Sequence, residues 1–186
     1  MQRATSTILA TASLALSVAT QAQSGAGLLE EILVTAQKRQ QQAIDVPIAI
    51  GTFSQRDIIN TGALNLQDID AYIVGFDAGG ESFTQQGYRI RGISSPNIST
   101  GGDPSVATFY DDAYLPRAAT TVAFADIDRV EVLRGPQGTL FGRNAAAGVV
   151  NMIPNAPSDT LEGFARIRAG NYNLMRLEGM INIPVS

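Results

Sequence analysis

Asp128-Arg129-Val130-Glu131-Val132-Leu133-Arg134-Gly135-Pro136-Gln137-Gly138-Thr139-Leu140-Phe141-Gly142-Arg143-Asn144, followed by Ala147-Gly148-Val149-Val150-Asn151, is the stretch on which the fold turns. Before its first glycine, the apolar residues Ile127, Val130 and Val132 alternate with the charged residues Asp128, Arg129 and Glu131, as in a half-buried strand. The glycines at 135, 138, 142 and 148 permit tight turns in a compact globule. Between them, Thr139-Leu140-Phe141 has room for only a brief helical turn. Gly148 to Ile153 is then a last short strand, ended by Pro154. A phosphate loop would need Gly-x-x-x-x-Gly-Lys-Ser/Thr, and no lysine follows Lys38, so this block is not a nucleotide cradle.

N-terminal to the block, the pattern from Val46 onward is that of a small α+β domain. Pro47 to Phe53 is strand-like, and Ser54 caps a short helix from Gln55 to Asn60 that Gly62 closes. Leu64 to Tyr72 reads as a second helix with Leu66, Ile69 and Ile73 on one face. Tyr88 to Ile93 alternates like a strand, Ser94 to Pro104 is loop by composition, and Val106 to Leu115 is strand again. As neighbours on that strand, Asp111 and Asp112 face opposite sides and make no pair of metal ligands.

After Pro157 the chain changes character. One parity carries Glu162, Arg166 and Arg168, then Arg176, Glu178 and Asn182; the other carries Gly163, Ala165, Ile167 and Ala169, then Leu177, Gly179, Ile181, Ile183 and Val185. Asn171-Tyr172-Asn173 is the turn between them, and centring the hairpin on Tyr172 sets Arg166 opposite Glu178. Strands of about ten residues, charged on one face and apolar on the other, suit a transmembrane barrel; an amphipathic soluble hairpin has the same pattern.

The first 22 residues are a different polypeptide. Arg3 is their only charge, an apolar run extends from Ile8 to Val18, and Thr20-Gln21-Ala22 puts small residues at a signal-peptidase site. That run is too short to span a bilayer. Residues 23–30 have the composition of a flexible tether. Glu31-Ile32-Leu33-Val34-Thr35-Ala36 is then an isolated β-prone hexapeptide backed by the polar stretch Gln37 to Gln42. It suits addition as an extra strand to a partner's sheet edge, or serves as the first strand of the domain that follows.

Composition removes several classes of function. Of 186 residues, 45% are hydrophobic and 16% charged, enough to bury the core of one domain of ordinary size. With no cysteine there is no disulfide framework and no thiol chemistry; with no histidine, imidazole catalysis and imidazole metal sites are excluded. Removal of residues 1–22 takes Arg3 with it, leaving 13 − 1 = 12 basic against 17 acidic residues, a net charge of −5. An acidic chain is a poor partner for nucleic acid. Without a nucleophile–base pairing, the chain is expected not to be an enzyme, and no cofactor or metal is called for.

Four stretches, in order, resemble the TonB-dependent outer-membrane receptors. Glu31 to Ala36 looks like a TonB box, and Asp45-Val46-Pro47-Ile48 like the entry to the plug's first strand. Arg89-Ile90-Arg91-Gly92 looks like the Ile-Arg-Gly strand end, and the long glycine block is the most specific match. The fold this implies is α+β: a small mixed-sheet plug domain followed by the first β-hairpin of an incomplete transmembrane β-barrel. The implied organisation is a signal peptide at 1–22, a flexible segment at 23–45 with the TonB box at 31–36, a plug at 46–157 and the first barrel strands at 158–186. The implied activity is active uptake of a scarce ligand such as an iron–siderophore complex across the cell outer membrane, with the plug facing the periplasm. The implied partners are TonB of the inner-membrane energy-coupling complex and the chain's own barrel. Arg91 and Arg134 match arginines that reach barrel-wall carboxylates and lock the plug. Ser94, Ser95, Asn97, Tyr114 and Arg117 fall on the loops that take a polar ligand. Alternatives are a periplasmic signalling or interaction module and a non-functional truncated receptor. Bacterial barrels have even strand numbers from about 8 upward, and two strands fall short of that; a fragment of a longer receptor, or a truncated product unable to transport alone, is expected. The exported protein is expected to begin at Gln23, and N-terminal sequencing that finds residues 1–22 still attached would overturn this.

Overall fold

The structure, a computed structural model, describes residues 32–36, 38–79, 86–95, 97, 99 and 102–184. The signal sequence, the tether and Glu31 lie outside the described residues. Two short strands come first, β1 (Leu33–Val34) and β2 (Gln41–Gln42), followed by β3 (Ala49–Ser54) and helix α1 (Gln55–Thr61). A 3₁₀ helix, Leu66–Tyr72, leads to β4 (Phe76–Asp77) and β5 (Arg89–Ile90). Then come β6 (Val106–Tyr110), β7 (Ala113–Leu115), β8 (Ile127–Arg134), α2 (Gly138–Phe141) and β9 (Gly148–Pro154). The hairpin β10 (Glu162–Ala169) and β11 (Met175–Asn182) completes the described chain.

The central sheet has five strands in the order β3-β8-β9-β6-β7. Its pairs are antiparallel except β6 with β9, which is parallel, so the sheet is mixed as expected. One face presents Phe53, Val130, Val132, Val150, Met152 and Val106 to Ile58 of α1, to Leu66, Ile69 and Ile73, and to Phe76 and Ile90. The other face presents Ala107, Phe109, Leu133 and Val149 to Val34, Ala36, Val46 and Phe141. β8 and β9 are therefore covered on both sides.

Local chemistry sets the elements. Ser54 and Asp57 form a reciprocal capping box at the start of α1, with the Asp57 N–H donating to Ser54 Oγ at 3.2 Å and the Ser54 N–H to Asp57 Oδ2 at 3.0 Å. Gly62, at φ 75°, closes the helix. The segment expected to be a second helix is 3₁₀, because Leu66 and Ile69, three residues apart, stack into the core with that period. Tyr88 to Ile93 keeps only two residues in β5, since Arg91 and Gly92 turn at φ 52° and 79°. The expected single strand 106–115 is two, β6 and β7, joined at Asp111 and Asp112 with φ of 48° and 61°. This is a two-residue hairpin turn of the primed kind, which aspartate tolerates. The two carboxylates thus sit side by side in a turn rather than on opposite faces of a strand. The three-residue gap between Ile127 and Val130 marks a bulge, since the register with β9 shifts between Ile127 and Arg129.

The β10–β11 hairpin forms its own two-stranded sheet, and Arg166 faces Glu178 in the expected register, 3.3 Å apart. Arg166, Arg168, Arg176 and Glu178 are half-buried on the side toward the rest of the chain. Arg168 donates to the Gly62 carbonyl at 3.2 Å. On the other side Ile167, Leu177 and Ile181 are 74%, 75% and 69% exposed. Among the described residues no helix is long and apolar enough to cross a membrane.

Two stability tests follow from this packing. A Cβ on Gly148 would lie 2.3 Å from the Leu133 carbonyl oxygen and 2.6 Å from Ile90 Cδ1, whereas one on Gly138 meets nothing within 4 Å. Gly148→Ala is expected to cost about 1–3 kcal/mol by denaturant titration, and Gly138→Ala nothing. Tyr88 is buried and donates its hydroxyl to the Thr120 carbonyl at 2.9 Å; burial pushes its pKa up to about 12. The unfolded phenol ionises near 10, so Tyr88's contribution is complete below pH 10 and is lost as pH rises towards 12. Thermal melts from pH 9 to 12 should fall less steeply for Tyr88→Phe than for the parent chain.

Candidate functional site

The hexapeptide expected to meet a partner lies against the sheet. Val34 and Ala36 are fully buried beside Phe109, Leu133, Phe141 and Val149. Leu33 and Val34 pair with Gln42 and Gln41, and the Ala43 N–H donates to the Ile32 carbonyl at 2.9 Å. The Thr35 N–H donates to Glu131 Oε1 at 2.8 Å, and the Thr35 hydroxyl reaches the same oxygen at 3.3 Å. Instead of standing apart as flexible chain, residues 32–36 are thus docked. Two apolar side chains gain burial, and a backbone donor gains a carboxylate. Leu33 stays 45% exposed and points away.

Glu131, on which this docking centres, was not legible as special. It has no solvent exposure, receives Arg129 Nε at 2.9 Å, and leaves Oε2 without a partner among the described residues. Arg129 also pairs with Asp128. The signal in the sequence was that Val132-Leu133 follows directly, so both faces of the strand carry apolar residues and a carboxylate there must be buried. Below the docked segment, Lys38 stands 5.5 Å over the Phe141 ring and 4.0 Å from Asp112. A cleft of about 220 Å³ is lined by Thr35, Lys38, Arg39, Gln40, Asp111, Asp112, Asn151 and Ile153.

Arg91 and Arg134 converge on one turn. Arg134 closes β8 and donates to the Val74 carbonyl at 2.9 Å and to the Ile50 carbonyl at 3.4 Å. The Arg91 N–H donates to the adjacent Gly75 carbonyl at 2.8 Å, while its exposed guanidinium has no ion-pair partner among the described residues. Arg134 therefore braces the plug from within, and Arg91 presents its charge outward.

The loop residues divide in the same way. Arg117 is buried and turned inward, its Nη2 donating to the Ser95 carbonyl at 2.9 Å. It positions the loop rather than projecting from it. Ser94 and Ser95 are half-buried, and Asn97 is exposed, with its Oδ1 taking the Ser99 N–H at 3.0 Å. Tyr114 sits edge-on to Phe109 and accepts Asn144 Nδ2 at 3.0 Å. Asn144 also reaches Asp103 at 3.4 Å, and Arg143 pairs with Asp103 at 3.6 Å. Asp103 was not singled out in the sequence, since only the fold brings the end of the loop against the glycine block. The loop 94–104 leads into the start of β6 and Arg117 follows the end of β7, whereas Lys38 meets the Asp111–Asp112 turn at the far end of β6. Lys38, just behind the docked hexapeptide, and the loop held by Arg117 thus lie toward opposite ends of β6. Among the described residues no group of three or more acidic side chains is placed to hold a metal ion.

Comparison with known proteins gives the family. Residues 42–149 match the family model described as the TonB-dependent Receptor Plug Domain. The pesticin receptor of Yersinia pestis is 36% identical over 75 residues, covering 40% of this chain and 11% of that protein. The ferripyoverdine receptor of Pseudomonas aeruginosa is 25% identical over 142 residues, covering 76% of this chain and 17% of that one. The vitamin B12 transporter of Vibrio vulnificus is 29% identical over 142 residues, covering 72% and 22%. The solved structure of the ferripyoverdine receptor superposes with a TM-score of 0.69 over 83% of this chain and 20% of its own, at 20% identity, a likeness of fold. The matches thus span only about a tenth to a fifth of those relatives' length. They are receptors and a transporter, and this chain is not an enzyme. With the plug-domain match covering 108 of its 186 residues (149 − 42 + 1), the chain belongs to the TonB-dependent receptor plug family.

Proposed function

We propose that this chain is the plug portion of an outer-membrane receptor that takes up a scarce ligand such as an iron–siderophore complex, energised by TonB acting on residues 31–36. The observation that carries the reading is a polarity along β6: Lys38, just behind that segment, meets the Asp111–Asp112 turn at one end, while Arg117 holds Ser95 at the other. A plug that senses ligand on one side and is pulled from the other needs that polarity. Relatives whose names specify ferripyoverdine and vitamin B12 support a ligand of the siderophore or vitamin kind. The hydroxyl, amide and backbone groups of Ser94, Ser95, Asn97 and Tyr114 suit an oxygen-rich molecule, with Arg117 holding the loop from beneath.

The β10–β11 hairpin fits the start of the surrounding barrel. Its exposed face is apolar, its inner face carries Arg166, Arg176 and Glu178, and its eight-residue strands come close to the roughly 9–11 residues of a bilayer-spanning strand. Between it and the plug lies a cleft of about 300 Å³ lined by Gln55, Asp126, Phe164 and those charged residues. In the assembled receptor Arg91 and Arg134 lock plug to barrel, a reading supported by the exposure of Arg91 at its turn and by the hold of Arg134 on the Val74 carbonyl of that turn.

TonB recognition is read as strand addition, in which main-chain hydrogen bonds give most of the affinity. Proline removes a donor and blocks pairing, whereas truncating an exposed side chain leaves the main chain intact. In the full-length receptor, Leu33→Pro should abolish uptake of labelled ligand while ligand binding to cells persists, and Leu33→Ala should transport nearly normally. Uptake at the parent rate in the proline variant rules out this role for the segment.

A further inference from the structure

We propose that Glu131 is a positioning residue that clasps the coupling segment to the plug by occupying the Thr35 N–H, so that strand addition must compete with a carboxylate inside the protein's own sheet. The clasp deepens the reading of residues 31–36 as the partner-binding segment and takes its biological meaning from it. Three observations carry it. The Thr35 N–H is a main-chain donor near the C-terminal end of the segment and is spent on Glu131 Oε1 at 2.8 Å. Glu131 lies on β8, an interior strand of the sheet, fully buried, 96 residues away in sequence, so the contact is tertiary and lost when the segment leaves. Its second oxygen has no partner among the described residues. A carboxylate retained only to stabilise the sheet is poorly used with half its acceptors idle, since an apolar residue of similar size does that at no desolvation cost.

Arg129 gives the clasp its asymmetry. Its Nε reaches Glu131 Oε1, while another nitrogen is paired with Asp128. When the segment departs, Glu131 keeps Arg129 and is not stranded as a bare buried charge. The segment, by contrast, loses the carboxylate and the packing of Val34 and Ala36 together. One end of the contact is anchored and the other is releasable.

The chain has no cysteine, so a single thiol reports cleanly on opening. Val34→Cys places it in the docked segment, and Val150→Cys places a control in the opposite core, both at fully buried positions. Maleimide labelling of the intact chain then measures how often each site opens. With Glu131→Leu, the thiol at position 34 should label about tenfold faster or more, the loss expected for a hydrogen bond to a charged acceptor, while the one at 150 keeps its rate. Glu131→Gln, which retains an uncharged acceptor in the same place, should fall between. An unchanged rate at position 34 in both variants overturns the clasp. So does an equal rise at 34 and 150, which means that the whole sheet has loosened. No partner takes part in this measurement, so a failure of the TonB reading would appear as normal uptake in Leu33→Pro and leave the labelling result standing.

Discussion

A carboxylate buried in the middle of a sheet has to collect its hydrogen bonds from within the protein, and that requirement organises one whole face of this molecule. β8 is bonded on both edges, to β3 and to β9, so its backbone is satisfied without help. The Glu131 side chain is not, and desolvating it without donors would cost several kcal/mol. Arg129, two residues earlier on the same face, supplies one donor. The others are the N–H and the hydroxyl of Thr35, which draw the N-terminal segment across the sheet and carry Val34 and Ala36 into the second core.

The bulge between Ile127 and Arg129 serves the same end. An unbroken period of two from Val130 and Val132 would leave Ile127 on the face of Arg129 and Glu131. The extra residue at Asp128 lets Ile127 join Val130 and Val132 in the core beneath the helices while Arg129 stays with Glu131. A single inserted residue thus keeps one face apolar and the other mixed.

A second consequence is directional. The parallel β6–β9 pair has its starting end beside the glycine block, the loop from Ser94 and the inward-turned Arg117. Its finishing end meets Lys38 and the Asp111–Asp112 turn. The Ser95–Arg117 contact and the Lys38–Asp112 pair are separated by the length of β6, and the sheet's interior strands are packed on both sides and are therefore stiff.

Some of this was legible in the chain itself. Ser54 and Gly62 marked the limits of α1 to within one residue, because caps act within a few residues. The hairpin register, Arg166 on Glu178, followed from a period of two and a single turn. The plug family itself could be read from the glycine block. What the chain alone left open depended on distant groups. The docking of residues 32–36, the burial of Glu131, the inward turn of Arg117 and the hold of Arg134 on the Val74 carbonyl each join residues 22 to 96 positions apart. Even the splitting of 106–115 into β6 and β7 was obscured, because aspartates in a hairpin turn and aspartates on a strand look alike until pairing is known. Local conformation is written in local sequence because backbone sterics and caps act over a few residues. Which buried donor meets which buried acceptor is decided only when the sheet closes and water leaves, since only then does an unpaired polar group become costly.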